Sequence, residues 1–167
     1  EVGFRTIYGN NDSLFLKREV ATVDDYEELA SRIEDRVGLP MALENYFRLL
    51  VLLPQKYDST LGAVNRYYGV TFNGDLVCRG IELRRRDSPP FVKRIQTEAI
   101  SALLSCASAE EVSVVGVEKA RTVIEEACAS LRDGAVPERE LRISTILRKQ
   151  IQEYKAKAPH VAAAEAL

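Results

Sequence analysis

The sequence predicts an α+β fold in two parts: a sheet-rich stretch to about residue 88 and an all-helical stretch from there to residue 167. Three observations predict it. Two hairpin signals, Tyr8-Gly9-Asn10-Asn11-Asp12-Ser13 and Asn73-Gly74, sit between runs of strand formers in the first part. One amphipathic helical pattern lies between them. From Pro89 onward, apolar residues recur at helical spacing and the strand pattern does not return.

In chain order, Phe4, Ile7 and Tyr8 lead into the first turn and Leu14, Phe15 and Leu16 lead out. Gly9 and the two asparagines tolerate positive φ at such a tight turn. Asp12 then stands at the lip of a sheet, either as a ligand for a hard divalent cation or as a solvated cap. Thr22-Val23-Asp24-Asp25 has the form of a capping box, and Tyr26, Leu29, Ala30, Ile33 and Val37 follow at helical spacing until Gly38 and Pro40 end the run. Met41 to Leu53 reads as one or two strands closed by Pro54, and residues 55 to 63 as a loop. Asn65 to Val70 and Leu76 to Leu83 pair across Asn73-Gly74. Phe91, Ile95, Ala99, Ala102, Leu103 and Cys106 form one helical stripe. Val117, Ala120, Val123, Ile124, Ala127 and Leu131 form a second, stopped by Asp133-Gly134. A third helix is expected from Ser144 to Tyr154 and a fourth from Pro159.

With 167 residues, 46% hydrophobic and 29% charged, the composition is that of an ordinary globular protein. The formal net charge of −2 conceals a polarised surface: residues 19 to 47 sum to −6 and residues 79 to 94 to +4, and residues 138 to 157 add another basic segment. Cys78, Cys106 and Cys128 are odd in number, widely spaced and set among apolar residues, and read as reduced core thiols of an intracellular protein. His160 is the only histidine, which excludes histidine-based metal sites and histidine-dependent triads. No apolar run approaches the roughly 20 residues needed to span a bilayer, so no membrane partner is expected, and no signal peptide is recognised. The chain begins without methionine, inside an expected strand, and is read as a fragment, a processed chain or the ordered part of one.

Three ordered motifs together resemble family B DNA polymerases, the archaeal replicative enzymes in particular. Tyr8-Gly9-Asn10-Asn11-Asp12-Ser13-Leu14-Phe15 resembles the palm hairpin that the family writes Tyr-Gly-Asp-Thr-Asp-Ser. Arg79-Gly80-Ile81-Glu82, then Arg85-Arg86-Asp87, Lys93 and Gln96, resembles the palm-to-thumb junction, usually Arg-Gly-Leu-Glu, Arg-Arg-Asp-Trp, Lys and Gln at these offsets. Tyr154-Lys155-Ala156 and Pro159-His160-Val161, with Ala162 and Ala164, resemble a helix-turn-helix signature of the thumb.

The resemblance implies residues 1 to 88 as the C-terminal half of a palm and 89 to 167 as most of a thumb. It implies a DNA-directed DNA polymerase component that is inactive alone, since nothing here resembles the exonuclease domain, the fingers or the first palm aspartate. A large subunit would supply those, as in the split family B polymerases of methanogenic archaea. Primer-template DNA, a dNTP and, through the complex, a sliding clamp are the implied partners, in the cytoplasm at the nucleoid. Asp12 matches the second family aspartate and would hold one Mg²⁺ of a two-metal site shared with the partner chain. Asn10 stands where the family has aspartate, and an amide does not bring the same charge to a metal. Glu44 corresponds either to an acidic residue near the relatives' metals or to a solvated strand glutamate. Arg79, Arg85, Arg86 and Lys93 fall where relatives grip primer-template, while Glu82 and Asp87 hold the junction together. Arg66 and Tyr67 match a minor-groove segment in which Val64 and Asn65 replace the usual lysines. Lys149 and Lys155 are expected near the DNA backbone, and His160 to cap or pack. The competing readings are a non-catalytic DNA-binding or assembly remnant and an unrelated α+β binding domain.

Overall fold

A computed structural model describes residues 3–147, 149–156 and 158–166. The order of elements is β1 (Arg5–Gly9), β2 (Leu14–Lys17), α1 (Val23–Val37), β3 (Phe47–Pro54), β4 (Gly62–Thr71), β5 (Leu76–Arg79), a 3₁₀ turn at Glu82–Arg84, α2 (Pro90–Leu103), α3 (Ala109–Glu111), a π-turn at Val112–Gly116, α4 (Val117–Arg132), α5 (Glu138–Leu141), a 3₁₀ turn at Ile151–Glu153 and α6 (Pro159–Glu165). The fold is mixed, with small antiparallel sheets and helices, as the sequence predicts. No helix of the described residues is long and apolar enough to cross a membrane. The chain forms two compact units: residues 1–81 with 104–114, and residues 82–103 with 115–167.

In the first unit β1 pairs antiparallel with β2, and a separate sheet has the order β3-β4-β5, also antiparallel. Edge-on aromatic contacts run Tyr8 to Phe15 to Tyr67, with Phe47 also edge-on to Tyr67, and tie the hairpin to the sheet. A second row, Phe4 to Tyr26 to Tyr46 to Phe72, ties in α1. That helix begins as expected: the Thr22 hydroxyl accepts from the Asp25 amide, the Asp25 carboxylate accepts from the Thr22 amide, and Gly38 ends the helix at φ +69°. The segment from Leu104 belongs to this unit because Arg48 donates to the carbonyl oxygens of Leu104 and Cys106, both residues buried.

The second unit packs α2 on α4 and on the 3₁₀ turn that precedes it, with Phe91 and Ala99 buried. Gln96 accepts the Leu83 amide at 2.6 Å, and Arg94 binds Glu140 at 3.1 Å. Pro159 opens α6, as expected, and Val161 on that helix is almost fully buried.

The turn after β1 makes no use of the positive φ that Gly9, Asn10 and Asn11 tolerate, because the Asn10 side chain does the turning. Other expectations are corrected. Residues 41–46 are irregular, so the stretch from Met41 holds a single strand, β3, which runs through Pro54, and β5 stops at Arg79, short of the expected Leu83, where Gly80 takes φ +63°. The helix expected from Ser144 to Tyr154 does not form: residues 142–147 carry no regular structure, and only Ile151–Glu153 makes a helical turn; Arg148 lies outside the described residues. Ile143 and Ile146 are 69% and 76% exposed, and helices in proteins depend on packing an apolar face more than on propensity. Cys78 and Cys106 are buried thiols, but Cys128 is exposed, since it falls on the outer face of α4.

Candidate active site

The hairpin tip is a closed four-residue loop. Gly9 pairs with Leu14, and the Asn10 amide donates to the Ser13 carbonyl oxygen at 3.0 Å. Asn10 organises the rest through its carboxamide oxygen, which accepts from the Asp12 amide at 2.9 Å, the Ser13 amide at 2.8 Å and the Ser13 hydroxyl at 2.9 Å. Asp12 is left at the apex. It is exposed, and among the described residues its carboxylate is in no ion pair. An exposed, uncommitted carboxylate fits a hard cation such as Mg²⁺, which takes one or two carboxylates and completes its shell from water and phosphate. Among the described residues, no three His, Cys, Asp or Glu side chains gather into a metal-binding group.

The tip is fastened to β4. Leu52 faces Tyr67 and Pro54 faces Gly62, so β4 bulges between them, and Asn65 in that bulge takes φ +54°. Bulges re-aim side chains, and asparagine tolerates the left-handed region better than most residues. Here Asn65 accepts from the Asn10 side-chain amide at 2.7 Å, while its own backbone amide donates to the Tyr8 hydroxyl at 3.2 Å. Gly80 completes the arrangement, because a Cβ at that position would collide with the Asn65 carbonyl oxygen. Arg66 donates to the Gly80 carbonyl oxygen at 3.1 Å and is otherwise exposed. Tyr67 is 7% exposed and its ring lies in the aromatic row, so of this pair only Arg66 faces solvent. Glu44 and Arg79 form an exposed ion pair at 3.4 Å.

In the second unit the basic residues differ in how committed they are. Arg85 is bound by Asp87 at 2.8 Å and by Glu82 at 3.3 Å, which holds the Asp87 carboxyl below the ordinary carboxylate range. Arg86 has no such partner among the described residues and lines a cavity with Asp87, Lys149, Tyr154 and His160. The His160 ring lies edge-on to Tyr154, a packing contact. Lys93 is half-buried on α2, and Lys155 is exposed. Sequence reasoning missed the Asn10–Asn65 bond and the Arg48 contacts, both of which join residues far apart in the chain. Asparagine's tolerance of the left-handed region, in an irregular run before a strand, was the available signal for the first.

Over residues 1–167 the chain matches the profile of DNA polymerase family B. It is 26% identical over 163 residues to a DNA polymerase of Archaeoglobus fulgidus, covering 98% of this chain and 19% of that protein. It is 30% identical over 164 residues to DNA polymerase 2 of Aeropyrum pernix, covering 98% and 18%. Its fold matches the structure of the family B DNA polymerase from Pyrobaculum calidifontis with a TM-score of 0.60 at 26% identity, over 99% of this chain and 19% of that one. The chain belongs to DNA polymerase family B. It spans about a fifth of the length of these relatives.

Proposed function

We propose that this chain is the C-terminal palm half (residues 1 to 88) and thumb (89 to 167) of a split family B DNA polymerase, working with a larger polypeptide that carries the exonuclease, the fingers and the other palm motifs. The observation that carries this reading is Asp12, an exposed carboxylate fixed at a hairpin apex and, among the described residues, in no ion pair.

The reaction is in-line phosphoryl transfer, in which the primer 3′-oxygen attacks the α-phosphorus of a dNTP and pyrophosphate leaves. Two Mg²⁺ ions, when bound, lower the pKa of the attacking hydroxyl and neutralise charge on the leaving group. Asp12 contributes a ligand oxygen from this chain, and the second aspartate comes from the partner. Arg66, Arg79, Arg86, Lys93, Lys149 and Lys155 provide cationic contacts for primer-template phosphates, with Arg85 contributing less while Glu82 and Asp87 hold it. The complex also meets the sliding clamp, at the nucleoid.

The test is primer extension by the chain mixed with its large partner. The native complex extends primer, Asp12→Ala lowers the rate by about 10³-fold, and neither polypeptide alone extends. No extension by the native complex would favour a non-catalytic remnant, a reading that the neutral Asn10 at a family aspartate position keeps in play.

A further inference from the structure

Asn10 occupies a position where a metal ligand would be sought, yet its bonds leave no room for a metal. Its carboxamide oxygen already takes three donors, at 2.8 to 2.9 Å, whereas a carbonyl oxygen has two lone pairs. With the oxygen facing those donors, the side-chain NH₂ must point away from the turn, and there it meets Asn65 Oδ1 at 2.7 Å. Asn65 reaches that spot only because the β4 bulge holds it at φ +54° with Gly80 beneath its carbonyl oxygen. A second tie from the same residue, its backbone N–H to the Tyr8 hydroxyl, grips β1 just before the turn. The apex that presents Asp12 is therefore clasped to the sheet at two points by one bulge residue.

We propose that Asn10 is the positioning residue of the Asp12 site. Its carboxamide, clasped by Asn65, sets where the Asp12 carboxylate is presented, and it does not itself ligate a cation. The proposal rests on the polymerase reading for its consequence in catalysis but not for the clasp itself. A carboxylate at either position preserves the clasp: aspartate at 65 accepts from the Asn10 amide, and with aspartate at 10 the Asn65 amide turns over and donates. Carboxylates at both positions leave two acceptors face to face at hydrogen-bond distance, and glycine at 65 keeps the backbone conformation while removing the bond.

The experiment is a double-substitution cycle of Asn10→Asp and Asn65→Asp, with Asn65→Gly alongside. It is read in two ways: by the thermal midpoint of the full chain alone, and by the Mg²⁺ concentration that half-saturates primer extension by the complex. Each single aspartate variant is expected to stay within about twofold of the native Mg²⁺ midpoint, whereas the double variant raises it about tenfold and lowers the thermal midpoint by more than the sum of the singles. Asn65→Gly shifts the Mg²⁺ midpoint in the same direction as the double variant. Additive effects in the thermal cycle would overturn the clasp. An Asn10→Asp variant that binds Mg²⁺ more tightly whatever stands at 65 would show residue 10 to be a ligand and overturn the positioning role. If the native complex fails to extend primer, the polymerase reading falls, and the thermal cycle still decides the clasp.

Discussion

The two units hold their polar groups in different ways. In the first, side chains seize backbone: Asn10 takes the amides of its own turn, Arg48 takes the carbonyl oxygens of Leu104 and Cys106, and Tyr46 donates to the Ala21 carbonyl oxygen at 2.6 Å. In the second, charged side chains mostly seize one another, as in Arg85 with Asp87 and Glu82, Arg94 with Glu140 and Glu98, and Arg142 with Glu138. Bonds to backbone fix where a loop lies, whereas exposed ion pairs contribute little and are screened by salt. Under the proposed function, the unit that presents one carboxylate to a cation needs the former, and the unit that offers cations to phosphate gains from arginines that exchange partners.

That contrast can be broken or sharpened by substitution. Phe91→Ala removes the ring that α2 buries and should cost about 4 kcal/mol, read as lost amide protection in the second unit alone. Equal loss of protection in residues 5–79 would mean that the two units do not unfold separately. Gly80→Ala should cost about 3 kcal/mol through the left-handed backbone and the collision with Asn65, and denaturant titration should show it in the first unit. On DNA, Arg86→Ala should weaken primer-template binding several-fold and reduce the salt slope by about one, with Arg85→Ala having the smaller effect because Glu82 and Asp87 already neutralise it. The reverse order would show that Arg85 leaves its carboxylates for phosphate.

The smallest expected effect is at the start of α1. Asp25 titrates at about 2 instead of 3.8, chiefly because the Thr22 backbone amide donates to it and next because Arg18 does. Its folded pKa lies below the unfolded one, so its contribution is complete above about pH 4 and is lost as pH falls toward 2. Amide exchange in the first turn of α1 should quicken across that window in the native chain and show no such step in Asp25→Asn.

What could be read from the sequence follows the same division between local and distant causes. The Thr22–Asp25 capping box, the Gly38 and Gly134 helix ends, the turn at Gly74 and the proline start of α6 each depend on a few consecutive residues, and all are found where expected. The place of Asp12 in a turn between two strands was legible for the same reason. The Asn65 bulge was not, because its cause lies 55 residues away at Asn10 and in the absent side chain of Gly80. Nor was the capture of Leu104 by Arg48, or the burial of Tyr67 between two phenylalanines. The stretch from Ser144 failed in the opposite sense: its pattern is helical, but Ile143 and Ile146 find no surface to cover.

The most direct measurement is anomalous diffraction from Mn²⁺-soaked crystals of the assembled complex with primer-template and an unreactive dNTP analogue. A metal peak is expected about 2 to 2.5 Å from an Asp12 carboxylate oxygen, with Asn10 still bonded to Asn65 and outside the coordination shell. A metal bound elsewhere, with the Asp12 carboxylate facing only solvent, would contradict that expectation.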